Sequence, residues 1–309
     1  MNTFDLIIIG AGPAGTAAAV YAARKRLRSV LITEEWGGQS TVSDDIQNWI
    51  GFPHISGADM AKSFKTHVEE YAGDVVTVVS PARAEKVLKN PDGTITVESN
   101  KGESYTAHAL LITVGSRRRK LPATGADQFE HKGLTYCASC DGPLFTGQDV
   151  VVVGGGNAGF ETAAQLLAYV KSVTLLEHGD TFKADPITVE KLAANPAFTG
   201  ITNADTKEVH GDVLVNGLTY TNNKTGEEKR LDVTGVFVEI GLLPNTDILG
   251  DAVELNQYKQ VITDPRTQKT NTRGIWAAGD CTDTLYHQNN IAAGDAVRAL
   301  EDIYKTLKA

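Results

Sequence analysis

Two stretches of the chain share one pattern of apolar and polar positions, in which a short apolar run leads through a glycine-rich turn into a longer, alanine-containing segment. The apolar runs are 4–9 and 149–153. Short runs rich in β-branched residues are typical of strands buried on both faces of a parallel sheet. The segments that follow, 16–26 and 157–169, predict a helix after each strand.

The turn between strand and helix has the spacing GxGxxG in both stretches. The first glycine permits a tight turn, the second lets a pyrophosphate approach the backbone, and the third lets the helix pack on the strand. Each helix leads to a further strand, 29–33 or 172–176, that ends in an acid where a dinucleotide ribose is normally bound. The predicted dinucleotide-binding residues are Gly10, Gly12, Ala14, Gly15 and Glu34 in the first half and Gly154, Gly156, Asn157, Gly159 and Glu177 in the second.

Short strands broken by turn residues follow in both halves, so the pattern predicts one α/β architecture used twice. We predict a β-meander in the first half from 75–79, 82–88, 94–98 and 104–106, and similar strands in the second from 201–209, 213–220 and 229–233. Two complete folds imply two bound dinucleotides.

Composition narrows the class of protein. The 309 residues, 41% of them apolar, suffice for two buried cores. A net charge of −9 argues against a nucleic-acid surface, where a basic face is expected. No stretch reaches the roughly 18 apolar residues of a membrane span, and the chain enters a strand at once, with no basic leader or cleavage site. We therefore expect a soluble cytoplasmic enzyme.

Two of the three cysteines, Cys137 and Cys140, are separated by two residues and followed at once by Asp141. In a reducing compartment such a pair is either catalytic or metal-binding. The histidines show no ligand spacing and no second CxxC is present, so we expect no metal. A dithiol at this spacing can close into a disulfide and open again, which predicts electron transfer to disulfides. Cys281 is interpreted as a buried small residue.

The segments 136–142, with the sequence YCASCDG, and 277–281, with AAGDC, resemble the low-molecular-weight thioredoxin reductases. Segments 140–145 and 241–246 are similar to the C-terminal reductase portion of the flavoprotein subunit of alkyl hydroperoxide reductase. The resemblance covers essentially the whole chain. That flavoprotein carries an additional N-terminal dithiol domain, whereas this sequence starts at the first glycine turn, so we expect any relay dithiol to belong to another protein.

The resemblance implies two Rossmann-like domains of three-layer ββα type. An FAD-binding domain, 1–115 with 246–309, would be split by a nicotinamide domain, 116–245, which carries the dithiol. Chain crossings near Gly115 and Pro244 would act as a hinge. The residues that the resemblance assigns to the flavin, beyond those of the first turn, are Gly37, Gly38, Gln39, Asn48, Gly115, Gly279, Asp280 and Gln288.

The resemblance also implies roles for the redox residues. Cys140, nearer the flavin, would exchange electrons with it, Cys137 would attack the disulfide of the partner, and Asp141 would serve as acid or base. The expected partner is a thioredoxin-like, glutaredoxin-like or stand-alone dithiol relay protein, and the expected assembly is a homodimer.

The electron donor is predicted from a departure from the family pattern. Family members that use NADPH carry an arginine cluster after the second nicotinamide-domain strand, where this chain has Glu177 to Asp180. A like charge about 5 Å away, at an effective dielectric near 20, costs roughly 3 kcal/mol, so a 2′-phosphate is disfavoured. We expect NADH, although Lys183 keeps NADPH open. The alternatives are a dithiol oxidase, a ferredoxin- or flavodoxin-driven reductase of this fold, and a non-catalytic flavoprotein.

Overall fold

The computed structural model describes residues 3–43 and 46–308, apart from the side chains of Ser139 and Cys140. The chain divides into two compact units, which we call unit 1 (Met1–Arg117 with Leu243–Ala309) and unit 2 (Arg118–Leu242). Unit 2 is therefore an insertion in the sequence of unit 1. That unit 1 binds FAD and unit 2 a nicotinamide cofactor stays a prediction.

The elements of the first segment are β1 (Phe4–Ala11), α1 (Pro13–Arg24), β2 (Ser29–Trp36), α2 (Gly57–Ala72), β3 (Val76–Val79), β4 (Ala84–Lys89), β5 (Ile95–Ser99), β6 (Ser104–Ile112) and β7 (Ser116–Arg118). Those that follow are β8 (Leu134–Thr135), α3 (Ala138–Asp141), β9 (Asp149–Val153), α4 (Asn157–Leu166), β10 (Ser172–Leu176), α5 (Pro186–Ala193), β11 (Phe198–Ile201), β12 (Ala204–Gly211), β13 (Val215–Asn222), β14 (Glu228–Leu231), β15 (Gly235–Val238) and β16 (Leu242–Pro244). The chain ends with β17 (Ile275–Ala277) and α6 (Asn289–Lys308).

Unit 1 is built on a sheet in which β3, β2, β1 and β6 run parallel in that order. The other edge of β6 is shared, because its first half pairs antiparallel with β5 and its last residues pair parallel with β17. Leu6 and Ile8 of β1 pack with helices α1 and α6, whereas Ile7 and Ile9 pack with the strand layer and the loops on the opposite face. A strand covered on both faces accounts for the unbroken apolar run.

One predicted element was wrong. The segment 75–79 was placed in the β-meander, but β3 pairs parallel with β2 and forms an edge of the parallel sheet. The meander consists of β4, β5 and the first half of β6. Strand β6 also continues to Ile112, beyond the predicted end at 106, because its last three residues are fully buried between β1 and β17.

Unit 2 repeats this plan with a wholly parallel sheet in the order β11-β10-β9-β15-β8, beside a small antiparallel sheet of β12, β13 and β14. Val150 and Val152 of β9 pack with Phe160 of α4, whereas Val151 and Val153 face the second core, which contains Leu218. The predicted strands 149–153 and 172–176 coincide with β9 and β10. The predicted α/β class, with two Rossmann-like folds, is confirmed.

The packing role of Gly15 can be tested by the effect of its substitution on the free energy of unfolding. A Cβ on Gly15 would lie 1.7 Å from the carbonyl oxygen of Gly10, so Gly15→Ala forces α1 away from β1 and lowers the free energy of unfolding by about 1–3 kcal/mol. The control is Gly294→Ala in α6, where a Cβ meets nothing within 4 Å and the higher helix propensity of alanine stabilises by about 1 kcal/mol. Urea unfolding followed by circular dichroism measures both, and equal midpoints for the two variants would contradict this packing.

Candidate dinucleotide and redox sites

A cavity of about 520 Å³ lies in unit 1 where β1, β2 and β6 end. The carboxyl ends of parallel strands meet at one edge of a sheet, and dinucleotides bind in the crevice beyond that edge. The predicted residues that line the cavity are Gly10, Gly12, Ala14, Glu34, Gly38, Gln39, Gly115, Gly279 and Asp280. It is also lined by Arg83, Arg117, Asn245 and Asp247, which the sequence analysis did not identify.

The first glycine turn leaves the start of α1 open toward this cavity. Gly10 has a φ of +100°, and a Cβ there would lie 2.5 Å from the carbonyl oxygen of Thr113. The Thr113 hydroxyl donates to the Ile9 carbonyl at 2.7 Å, which joins β6 to the turn. Gly12 caps α1 with no side chain over the helix amides. Backbone N–H groups and the positive end of the helix dipole fit the pyrophosphate of a dinucleotide.

The loop after β2 is tied to the start of α6, which lies far along the sequence. Asn48 Nδ2 donates to Gln288 Oε1 at 3.2 Å, and the carbonyl oxygen of Asn48 accepts from Asn290 Nδ2 at 2.7 Å. Ser40 Oγ donates to Asn289 Oδ1 at 3.0 Å. Asn48 and Gln288, both predicted to contact a flavin, are thus brought together, although neither is among the residues that line the cavity.

Three predicted glycines in unit 1 have defined packing contacts. Gly15 packs α1 on its turn, and Gly37, with a φ of +85°, would place a Cβ 2.6 Å from the Cβ of Ala61 in α2. Gly279 has a φ of +80°, and its Cβ would lie 3.3 Å from the Cβ atoms of both Ala14 and Ala292. Close contact between the helices and the cavity edge requires glycine at these positions.

Cys281 follows the cavity residue Asp280 but is itself fully buried. Its Sγ lies 3.6 Å from the carbonyl oxygen of Ala278 and 3.8 Å from that of Ile112. Burial raises the pKa of the Cys281 thiol to about 12, so that it stays protonated at neutral pH. Its surroundings match the interpretation of Cys281 as a buried small residue.

In unit 2 the parallel strands bring four candidate binding and redox segments to one edge of a sheet. Cys137 follows β8, Gly154 follows β9, Glu177 follows β10 and Glu239 follows β15. Because these strands are neighbours in the order β10-β9-β15-β8 and run parallel, their carboxyl ends lie side by side. The predicted ribose acid, the glycine turn and the dithiol segment therefore share one edge.

The carboxylate of Glu177 is held by two backbone amides. Its Oε2 accepts from the Gly155 N–H at 2.8 Å, and its Oε1 accepts from the Gly179 N–H at 2.7 Å. The residue is only 7% exposed, so it is not a solvated acid at a strand end. A Cβ on Gly155 would lie 2.7 Å from Oε2, and one on Gly179 would lie 2.9 Å from Oε1. Neither glycine was predicted from the sequence: Gly179 follows the acid by two residues, whereas Gly155 lies 22 positions before it and meets it only in the folded chain.

The second glycine turn repeats the packing of the first. Gly154 has a φ of +122°, and a Cβ there would lie 2.2 Å from the carbonyl oxygen of Glu239. A Cβ on Gly159 would lie 1.8 Å from the carbonyl oxygen of Gly154. Gly156 caps α4 with no side chain over the helix amides, and Asn157 Oδ1 accepts from the Asp185 N–H at 2.8 Å. The amides at the start of α4 therefore suit a second pyrophosphate.

Glu239, which was not predicted from the sequence, is a largely buried acid whose side chain is 11% exposed. Its Oε1 accepts from the Thr162 hydroxyl at 2.8 Å, and its Oε2 lies 3.6 Å from Arg118 Nη1. Burial raises the pKa of this carboxyl, and Arg118 and Thr162 partly oppose that shift. Its position directly after a buried strand was the signal that could have found it.

At the dithiol segment, Cys137 is half-buried and disulfide-bonded. Its backbone N–H donates to Thr135 Oγ1 at 3.3 Å, and its carbonyl oxygen accepts from the Asp141 N–H at 3.1 Å in the single turn α3. The Thr135 hydroxyl donates to Asp141 Oδ2. The backbone of Cys140 lies in α3, whereas its side chain, on which the predicted flavin contact falls, lies outside the described part of the chain.

The described residues show neither a metal-binding cluster nor a membrane-spanning helix. Among residues 3–43 and 46–308, no group of three or more His, Cys, Asp and Glu side chains is arranged to hold a metal ion. Within the same described ranges, no helix has the length and apolar character needed to cross a membrane.

The model of a protein family described as pyridine nucleotide-disulphide oxidoreductase matches residues 4–296. A protein named NADH dehydrogenase from Bacillus subtilis (strain 168) is 40% identical over 296 residues, and a subunit of alkyl hydroperoxide reductase from Escherichia coli (strain K12) is 41% identical over 304 residues. Each alignment covers 96% of this chain and 57% of the relative. The chain therefore spans little more than half the length of these curated relatives.

Solved structures match over nearly their full length. A thioredoxin reductase from Streptococcus pyogenes MGAS5005 has a TM-score of 0.84 and 32% identity, over 99% of this chain and 98% of that one. A thioredoxin reductase from Giardia duodenalis has a TM-score of 0.88 and 27% identity, over 100% of both chains. The predicted resemblance to thioredoxin reductases and to the alkyl hydroperoxide reductase flavoprotein is confirmed.

The carboxyl of Glu239 gives a pH-dependent prediction. Its folded-state pKa is raised above the ordinary value of 4.5, so the folded protein holds more protons than the unfolded chain in the window between the two values. The free energy of unfolding therefore falls as pH rises through that window, and Glu239→Gln removes this loss. The melting temperature of the variant minus that of wild type should therefore be larger at pH 7 than at pH 4. The control is exposed Glu190→Gln, and a difference for Glu239→Gln that does not change with pH would contradict the prediction.

Proposed function

The chain belongs to the pyridine nucleotide-disulphide oxidoreductase family, and from that premise we propose that it passes electrons from NADH, through FAD and the Cys137–Cys140 pair, to a protein disulfide. Flavoprotein oxidoreductase activity, with FAD and a nicotinamide cofactor, follows from the family. The observation that carries the finer proposal is the shared edge in unit 2, where the dithiol segment follows β8 and the held carboxylate of Glu177 follows β10.

Unit 1 is proposed as the FAD-binding domain, with the functional boundaries 1–115 and 246–309, and the inserted 116–245 as the nicotinamide domain. The open amides of α1 would hold the pyrophosphate, Glu34 the ribose and Asp280 the ribityl chain, and the pair Asn48–Gln288 would shape the flavin end. FAD bound there would supply the two-electron chemistry that links the nicotinamide cofactor to a disulfide. The glycines of the turn fit a dinucleotide, because they carry no side chain and so let its pyrophosphate approach the backbone closely.

NADH is the proposed donor because of Glu177. Two amide donors fix its carboxylate, and each oxygen keeps a lone pair with which to accept from a ribose hydroxyl. A 2′-phosphate about 5 Å away would meet a repulsion of roughly 3 kcal/mol per unit charge at an effective dielectric near 20. The exposed Lys183, whose backbone N–H donates to the Gly155 carbonyl at 2.8 Å, is the cation next to the turn that could oppose this preference.

The thiol chemistry would proceed by two exchanges. The Cys137 thiolate attacks one sulfur of the partner disulfide, which forms a mixed disulfide and releases one partner thiolate. The Cys140 thiolate then attacks Cys137 Sγ, which closes the Cys137–Cys140 disulfide and releases the second thiolate. Two electrons pass to the partner, and its two thiolates take up two protons, one of them from Asp141 and the other from water.

A thioredoxin-like protein is the first choice of partner, since both solved structures described above are titled thioredoxin reductases. The identity to a subunit of alkyl hydroperoxide reductase suggests alternative partners, and as these we propose a glutaredoxin-like protein or a stand-alone dithiol relay protein. We also propose a cytoplasmic homodimer, on the family resemblance alone.

The donor is tested by mixing the anaerobic, FAD-loaded protein with equal concentrations of NADH or NADPH and following flavin absorbance by stopped flow. We expect fast bleaching by NADH only. Glu177→Gln removes the negative charge, and its side-chain NH₂ would face one of the two backbone N–H donors. The preference for NADH should therefore fall by as much as about a hundredfold, the equivalent of roughly 3 kcal/mol. The control, Glu228→Gln in β14, makes the same charge change on an exposed strand and should leave the preference unchanged.

Each other outcome of this experiment has a definite meaning. Faster bleaching of the wild type by NADPH would refute Glu177 as the selector. Absence of fast bleaching by either nucleotide would refute the proposed donor class and favour an oxidase or a ferredoxin-driven reductase.

A further inference from the structure

Thr135 is the last residue of β8, and it is fixed in the sheet of unit 2. It pairs with Phe237 of β15 and is 6% exposed. Its hydroxyl lies at the point where the chain leaves the sheet for the dithiol segment. Neither the sequence pattern nor the family resemblance assigned this residue a role.

The hydroxyl of Thr135 makes two hydrogen bonds, and together they fix where its hydrogen points. The Cys137 N–H can only donate, so Thr135 Oγ1 is the acceptor of that 3.3 Å bond. A hydroxyl has one hydrogen, which is then directed at Asp141 Oδ2. The Asp141 N–H donates in turn to the Cys137 carbonyl at 3.1 Å. Three contacts thus close a ring through Thr135, Cys137 and Asp141.

We propose that Thr135 is a positioning residue for disulfide exchange, which holds the Asp141 carboxyl at the dithiol turn so that it delivers a proton to the departing thiolate. The inference rests on the proposed function, in which Asp141 is the acid. Without the hydroxyl, the carboxyl would lose its only side-chain anchor that the structure records among the described residues. Proton transfer requires the acid within hydrogen-bond reach of the sulfur, so a freely rotating carboxyl would slow the step.

The step is the release of a thiolate from the partner disulfide. Attack by the Cys137 thiolate forms one S–S bond and breaks another, and the proton of Asp141 goes to the sulfur that leaves. Asp141 regains a proton from water. No oxidant or reductant is needed beyond the dithiol and the disulfide themselves. The demand for the proton depends on the leaving group, because an aromatic thiolate of low basicity departs readily without one.

This dependence permits a test that needs neither NADH nor flavin reduction. Wild type, Thr135→Val, Thr135→Ser and Asp141→Asn are reduced with dithiothreitol, desalted under anaerobic conditions, and mixed with either of two disulfides. One is the aromatic 5,5′-dithiobis(2-nitrobenzoate), and the other is bis(2-hydroxyethyl) disulfide, whose alkyl thiolate is basic. Circular dichroism and FAD content establish that each variant is folded.

For the alkyl disulfide, we expect Thr135→Val to slow exchange by roughly ten- to hundredfold, a part of the 10²–10⁴ that general acid catalysis supplies. Thr135→Ser, which keeps the hydroxyl, should remain within about threefold of wild type, as expected for rescue of one hydrogen bond. The aromatic disulfide should react at the wild-type rate with all four proteins. The double variant Thr135→Val with Asp141→Asn should be no slower than Asp141→Asn alone, because both act on one proton transfer.

Three outcomes would overturn the inference. An equal loss with both disulfides would mean that Thr135 only maintains the local structure. An unchanged rate in Thr135→Val, with Asp141→Asn impaired, would leave the proposed function intact and remove Thr135 from it. A wild-type dithiol that reduces neither disulfide would refute the proposed function and the inference together.

Discussion

Both units depend on one steric constraint, the contact between a glycine in the first turn of a helix and a carbonyl oxygen of the turn before it. A Cβ would lie 1.7 Å from that oxygen at Gly15 and 1.8 Å from it at Gly159. A methyl group at either place would push the helix off its strand. The helix amides would then leave the edge where the parallel strands end, and the anion-binding geometry of that unit would be lost.

The second constraint is the burial of acids at the same edge. Glu177 and Glu239 follow β10 and β15, the strands on either side of β9, and an unpaired carboxylate there would be costly. Two backbone amides satisfy Glu177, and the Thr162 hydroxyl with Arg118 satisfies Glu239. Because these donors hold the acids in place before a ligand binds, binding does not have to order them. This is the physical basis of a preorganised site.

The sequence predicted those features whose causes are local. Strands β9 and β10 were predicted with their observed bounds because each run is short and contains β-branched residues, and β9 is followed at once by the glycine turn. Strand β3 was misplaced because a short apolar run does not reveal its partner, which here is β2. Thr135 and Gly155 gain their roles only from contacts made in three dimensions. The pairing of Asn48 with Gln288, 240 positions apart, is likewise invisible to any local pattern.

The most direct test of the account is to let NADH, rather than a chemical thiol, open the disulfide. The anaerobic, FAD-loaded protein is incubated with NADH, alkylated without unfolding, and analysed by mass spectrometry. We predict that Cys137 and Cys140 become labelled only when NADH is present, while the buried Cys281 stays unlabelled in either case. Bleaching of the flavin without labelling of this pair would contradict the central claim, because electrons would then reach the flavin and go no further.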